Sequence, residues 1–102
     1  MSYKLIHETF WTDPKVRELN SKLKLLFLYS ITNPYSHYSG IYYLPIKIIS
    51  DETRLTQQEI KTGIDTLSGG YLVKYDQKLS VIWVVKMLKY QAHGEKQIKG
   101  IA

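Results

Sequence analysis

The sequence contains no cysteine. That excludes a disulfide framework and thiolate metal sites, and it fits a reducing compartment. Long apolar runs are also missing. A membrane-spanning helix takes roughly 18 or more apolar residues in succession. The densest stretch, Leu23 to Ile31, is shorter and is preceded by lysines. Met1-Ser2-Tyr3-Lys4 has no apolar signal-peptide core ahead of His7 and Glu8. The expected location is therefore cytoplasmic, with no membrane partner. His7, His37 and His93 stand far apart, without carboxylate or cysteine neighbours at metal-ligand spacing. No serine–histidine–acid order, phosphate-binding glycine loop or pair of catalytic acids stands out. Internal repeats and low-complexity tracts are absent. These absences point away from an enzyme, a metal site or a cofactor, and toward a protein that acts by binding.

What is present is ordinary for a folded domain. The 102 residues suit one compact unit with one core, and 44% hydrophobic against 23% charged residues is a globular balance. The formal charge of +5 favours a polyanionic partner, such as nucleic acid or an anionic membrane face, the bland alternative being a slightly basic soluble protein.

Residues 1 to 10 read as a lead-in. Thr12-Asp13-Pro14 has the form of a helix start, with a capping side chain and a proline in the first turn. This predicts a short helix over Pro14 to Leu19. Asn20-Ser21 interrupts it, and Ser21 is placed to cap a second helix over Lys22 to Thr32. That helix is apolar on nearly every side and so belongs at the centre of the fold or beneath a partner. Asn33-Pro34 stops it. After a polar and aromatic loop, Ile41 to Leu44 has strand composition. Pro45 opens a helical face of Ile46, Ile49 and Thr53. Thr53-Arg54-Leu55 is a tight connection. Thr56-Gln57-Gln58-Glu59 has capping-box form and opens a helix that buries Ile60, Ile64 and Leu67. Gly63 beside that face suits close helix approach, or is a tolerated glycine costing about 1 kcal/mol. Gly69-Gly70 ends the helix in the left-handed conformation glycine accepts. Tyr71 to Tyr75 and Leu79 to Val85 then form a hairpin about Asp76-Gln77-Lys78. Lys86 to Gln91 extends that strand or begins another element. Residues 93–102 read as a linker or the start of a further segment.

Two helices across a short turn make a helix-turn-helix unit, and a hairpin directly after the second is a wing. The expected fold is α+β: a winged helix-turn-helix over residues 1–92. Its helical core carries a small antiparallel sheet of two or three strands, Ile41 to Leu44 being the third. The all-apolar Leu23–Ile31 helix supplies the base for the other two.

Phe10-Trp11-Thr12-Asp13, Lys24-Leu25-Leu26-Phe27-Leu28-Tyr29, Thr32-Asn33-Pro34, Gly40-Ile41-Tyr42, Leu44-Pro45, Asp51-Glu52-Thr53, Trp83-Val84-Val85-Lys86 and Lys89-Tyr90-Gln91 occur in that order. The ordered set, over about residues 4 to 91, resembles the N-terminal domain of phage replisome organisers. These are replication-initiation proteins similar to DnaD-like primosome proteins in carrying an N-terminal winged helix. The resemblance implies binding to origin duplex DNA. It also implies a longer natural chain whose C-terminal part contacts a helicase loader or helicase. One position departs from the pattern: the turn residue often given to glycine in such units is Arg54.

With Ile60, Ile64 and Leu67 turned inward, Gln58, Lys61, Thr62 and Asp65 face outward. In a helix-turn-helix module this face meets the major groove. Gln58 is suited to adenine, Lys61 to phosphate or guanine, Thr62 to either, and Gln57 to the backbone. Arg54 and Lys47 flank the unit, and Lys74 and Lys78 lie on the hairpin; all four are candidates for phosphate. Lys15, Arg17, Lys22 and Lys24 form a possible second phosphate-binding cluster. The bland alternative for each is a solvated surface charge. Of the tyrosines, Tyr35 and Tyr38 are the best candidates for a contact surface, the others being expected in packing. Phe10, Trp11 and Trp83 are expected in the core or in a dimer seam. A protein-interaction or self-assembly module, with a homodimer as its simplest form, is the competing function. A transcriptional regulator would use the same contacts.

Overall fold

The computed structural model describes residues 4–92. The expected linker over residues 93–102 lies outside them, as do the first three residues of the lead-in. The fold grows from helix α3 (Ser21–Thr32), whose Leu26, Phe27, Ser30 and Ile31 are buried. Its cap is Asn20, whose side chain accepts from the Leu23 amide at 2.9 Å, and Ser21 becomes the first helical residue. Both residue types cap well; the extended backbone falls at Asn20 (φ −76°, ψ 176°), and this decides between them. At the other end Asn33 is buried with its side chain satisfied. Its amide donates to the Tyr29 carbonyl and the Tyr42 hydroxyl, and its oxygen accepts from the Tyr35 amide. The Tyr42 hydroxyl in turn donates to the Ser30 carbonyl.

The described part of the lead-in contains two short elements that the sequence reading does not assign. Leu5–Ile6 form strand β1, and Thr9–Thr12 a one-turn helix, α1. The next helix, α2, is shorter than expected, Pro14–Arg17. Asp13 caps it and accepts from the Lys15 amide at 2.8 Å. Phe10 stacks on Phe27 of α3, with centroids 5.7 Å apart. Both rings are met edge-on by Tyr90.

Helix α4 (Ile46–Thr53) and helix α5 (Gln57–Gly69) pack on α3 and on each other. The capping box forms in both directions: the Glu59 amide donates to Thr56 Oγ1 at 3.0 Å, and the Thr56 amide to Glu59 Oε1 at 2.9 Å. Ile60, Gly63, Ile64 and Leu67 are buried. Leu26, Ile49, Ile64, Leu67, Val73 and Ile82 converge on one point of the interior, so α3 is the common base for the other two helices. Gly63 serves close approach: a Cβ there would lie 2.8 Å from Leu26 Cδ2.

Strands β2 (Ile41–Tyr43), β3 (Val73–Asp76) and β4 (Val81–Val84) form an antiparallel sheet in the order β2-β4-β3. The third strand therefore pairs as expected, while each hairpin strand is shorter than its sequence pattern. Tyr42, Ile82 and Tyr75 share one register row on the inner face. Ile41, Trp83 and Lys74 share the next, on the outer face. The hairpin is followed by a one-turn helix, α6 (Met87–Tyr90), and strand β5 (Gln91–Ala92), which pairs antiparallel with β1. Among the described residues the architecture is α+β, with six helices, a small three-stranded antiparallel sheet and this two-stranded ribbon.

The end of α5 corrects another expectation. Gly69 is still helical and Gly70 has φ −91°. The left-handed residue is Tyr71, at φ 60°. The Leu72 amide donates to the Leu67 carbonyl and the Tyr71 amide to Ser68, the paired bonds of a Schellman ending. The buried pair Leu67 and Leu72 fixes where the chain must turn, and this puts Tyr71 in the position glycine usually takes.

Candidate nucleic-acid interface

The turn between α4 and α5 consists of Arg54, Leu55 and Thr56. Arg54 adopts φ 68°, ψ 12°, the left-handed backbone that a glycine would give. Neighbouring side chains hold it there. The Arg54 amide donates to the Ser50 carbonyl, Ser50 Oγ to the Leu55 carbonyl, and the Leu55 amide to Thr53 Oγ1. The departure from glycine thus leaves the turn closed, and it leaves an exposed guanidinium on the turn.

Along α5, Gln57, Gln58, Lys61, Thr62 and Asp65 are all exposed. Gln58 Nε2 donates to Thr62 Oγ1 at 3.1 Å, one turn on, so these two hydrogen-bonding groups are held together. Lys61 makes no ion pair among the described residues. Glu59 is engaged by Lys22 of α3. That contact, with the Thr56 amide next in weight, holds the Glu59 carboxyl below its ordinary range. Asn20, Lys22, Leu23, Gln58, Thr62 and Thr66 line a shallow groove between α3 and α5. Across the exposed stripe Lys61 and Asp65 cancel, so the helix is polar and close to neutral, with cations beside it.

Those cations differ in how free they are. Arg54 and Lys78 are exposed and make no ion pair among the described residues. Lys47 pairs with Asp51 at 3.3 Å, four residues on, which compensates its charge. Lys74 is half-buried. Its ammonium donates to the Ser68 carbonyl and hydroxyl, both at 3.3 Å, and lies 4.6 Å from the Tyr71 ring centroid. It offsets the negative end of α5. The second cluster is not one patch of free charge. Lys22 is committed to Glu59 and Lys15 lies 6.0 Å from the Tyr71 ring, while Arg17 is simply exposed and Lys24 partly so.

The aromatic expectations divide. Phe10 is fully buried, but Trp11 is 58% exposed and Trp83 43%, so neither tryptophan belongs to the core. Tyr35 is exposed yet tethered. It and Tyr29 each donate a hydroxyl hydrogen bond to Glu52, at 2.9 and 2.5 Å. Burial, chiefly, and Glu52 raise the Tyr29 pKa; for Tyr35 the Glu52 contact is the main cause. Tyr38 stacks on His37 and is free on its other side. Tyr43 and Tyr71, expected in packing, are both 65% exposed. A period-two reading of Tyr42-Tyr43 would have found the first of these, since adjacent strand residues face opposite ways.

Among the described residues no three histidine, aspartate or glutamate side chains converge on a metal-sized site, and no helix is long and apolar enough to cross a membrane. No family model, curated protein or solved structure matches the chain.

Proposed function

We propose that this is the winged helix-turn-helix domain of a phage-type replication initiator, and that it binds duplex DNA. On this reading α4 and α5 are the helix-turn-helix pair, β3 and β4 the wing, and α5 enters the major groove. The observation that carries it is the exposed stripe of Gln58, Lys61 and Thr62 beside a turn bearing an exposed Arg54 that makes no ion pair among the described residues. Gln58 and Thr62 read base edges, Lys61 meets guanine or phosphate, and Gln57, Arg54 and Lys78 hold the backbone. Lys47 and Lys74 contribute less, because each already faces an internal partner. The resemblance to replisome organisers supports a role in initiation within the cytoplasm, with helicase or loader contacts made elsewhere in such a protein.

The test is an electrophoretic titration of a random duplex library and of selected binders over a range of salt. Binding is expected to fall steeply with salt as phosphate-bound counterions are released. Gln58→Ala and Lys61→Ala are expected each to weaken selected duplexes by about 1–3 kcal/mol, with an unchanged circular dichroism spectrum. Negligible affinity for every duplex at about 50 mM salt would end the proposal.

A self-assembly module is the second reading, and the exposed Trp11 and Leu25 favour it. Sedimentation over a wide concentration range decides it: a strict monomer throughout counts against it, and a dimer abolished by Trp11→Ala supports it.

A further inference from the structure

The outer face of the three-stranded sheet is unusual for a surface that meets water. Strand alternation sends Tyr42, Ile82 and Val84 inward. Ile41, Tyr43 and Trp83 are left outward and exposed. Lys74 stands in register with Trp83 across the strand pair, and the Lys74 ammonium lies over the Tyr71 ring. A second ammonium, that of Lys15, approaches the same ring. The face thus sets Lys74 beside Trp83 and Tyr71, with Lys15 of α2 approaching Tyr71 from outside the sheet, while Asp76 shares the register row of Tyr43 and Val81.

Tyr71 adds a second observation. It is left-handed at φ 60° and 65% exposed. A left-handed backbone costs an L-residue about 1–2 kcal/mol that glycine would not incur. The ring buries little in return. The ring contacts that the structure shows are those with the two ammonium groups, and most of the side chain stays open to a ligand.

We infer that this face, through Tyr71, Trp83 and Lys15, binds single-stranded DNA. Unpaired bases stack on the exposed rings and Lys15 meets the phosphates, while Lys74, already bonded to Ser68, steadies the Tyr71 ring. Charge complementarity selects this occupant: a second protein surface would gain from the rings but would have to desolvate or match the ammonium groups beside them. Duplex DNA is a poor occupant, because its bases keep their faces within the stack. The inference goes beyond the duplex reading, since it concerns the outer face of the sheet, the rings of Tyr71 and Trp83, and another form of nucleic acid.

The test uses the full chain and oligothymidylate of about 16 nucleotides, within the site sizes of known single-strand binders. Trp11→Phe serves as the background, so that fluorescence reports Trp83 alone. Oligothymidylate is expected to quench that emission, with a midpoint that weakens as salt rises. Trp83→Ala, followed by anisotropy of a labelled strand, and Tyr71→Gly are each expected to weaken binding by about 5- to 150-fold. Trp83→Phe and Tyr71→Phe should bind much as the parent does. Tyr71→Gly matters most, because glycine suits the left-handed backbone and the variant remains folded. Duplex affinity is measured on the same proteins. Loss of single-strand binding with duplex binding intact, and the converse in Lys61→Ala, supports two surfaces and separates the failure of one from the failure of the other. Undetectable oligothymidylate binding at low salt overturns the inference. So does binding indifferent to both ring deletions, or a self-association that Trp83→Ala abolishes in place of DNA binding.

Discussion

Gly63 of α5 faces Leu26 of α3 so closely that a β-carbon on the glycine would stand 2.8 Å from the leucine Cδ2 and 3.2 Å from Leu23 Cδ2. Leu26 is itself buried, so its methyl group has little room to retreat. Gly63→Val is expected to destabilise the fold by about 1–3 kcal/mol through overpacking, despite removing a helical glycine. Urea unfolding checks this. A variant as stable as the parent would show that α3 and α5 separate freely.

Asp13 sets an acid limit on stability. Its carboxyl is held down at about 2, mainly by the Lys89 ammonium at 2.6 Å; burial opposes this, and the Tyr90 hydroxyl and Lys15 amide assist. The folded value lies below the ordinary 3.8, so the group stabilises the native state above about pH 4. That stability drains away as pH falls through about 2. Unfolding free energy measured from pH 7 to pH 2 should therefore decline at the acid end, and Asp13→Asn should flatten that decline. Asp13→Ala should cost about 2–3 kcal/mol at neutral pH, with the loss of a helix cap and a charged hydrogen bond. Parallel acid limbs in the parent and Asp13→Asn would refute the assignment.

Arg54 separates stability from binding. In its left-handed conformation, Arg54→Gly should stabilise the domain by about 0.5–1 kcal/mol. If the guanidinium meets phosphate as proposed, the same variant should bind duplex less tightly, with a salt slope reduced by about 1. Thermal unfolding and a salt titration read the two effects independently. Unchanged DNA affinity would remove Arg54 from the contact surface.

The parts of this fold that could be read in advance are those written locally. Thr56 and Glu59 are three residues apart and announce the start of α5, and the spacing of Ile60, Ile64 and Leu67 states which side is buried. The exposure of Gln58, Lys61 and Thr62 follows from the same periodicity. What escaped was set at long range. Strand β1 exists because β5 lies beside it, and Asp13 is held by a tyrosine 77 residues away. Lys22 resembles a free surface cation until Glu59, 37 residues on, is seen beside it. Gly69-Gly70 misled for a related reason. The helix ends where Leu72 can cover Leu67, and that requirement outranks the preference of glycine for the left-handed region.

Leu5 lies opposite Ala92, and Ile6 opposite Gln91, so the two strands of the ribbon present their outer ends, Leu5 and Ala92, side by side. Tension applied through both flanking segments would act across this ladder like the slider on a zip, parting one residue pair after the other instead of loading both together. The ribbon would open first and at low force, and the Phe10–Phe27–Tyr90 stack just behind it would take up the load next.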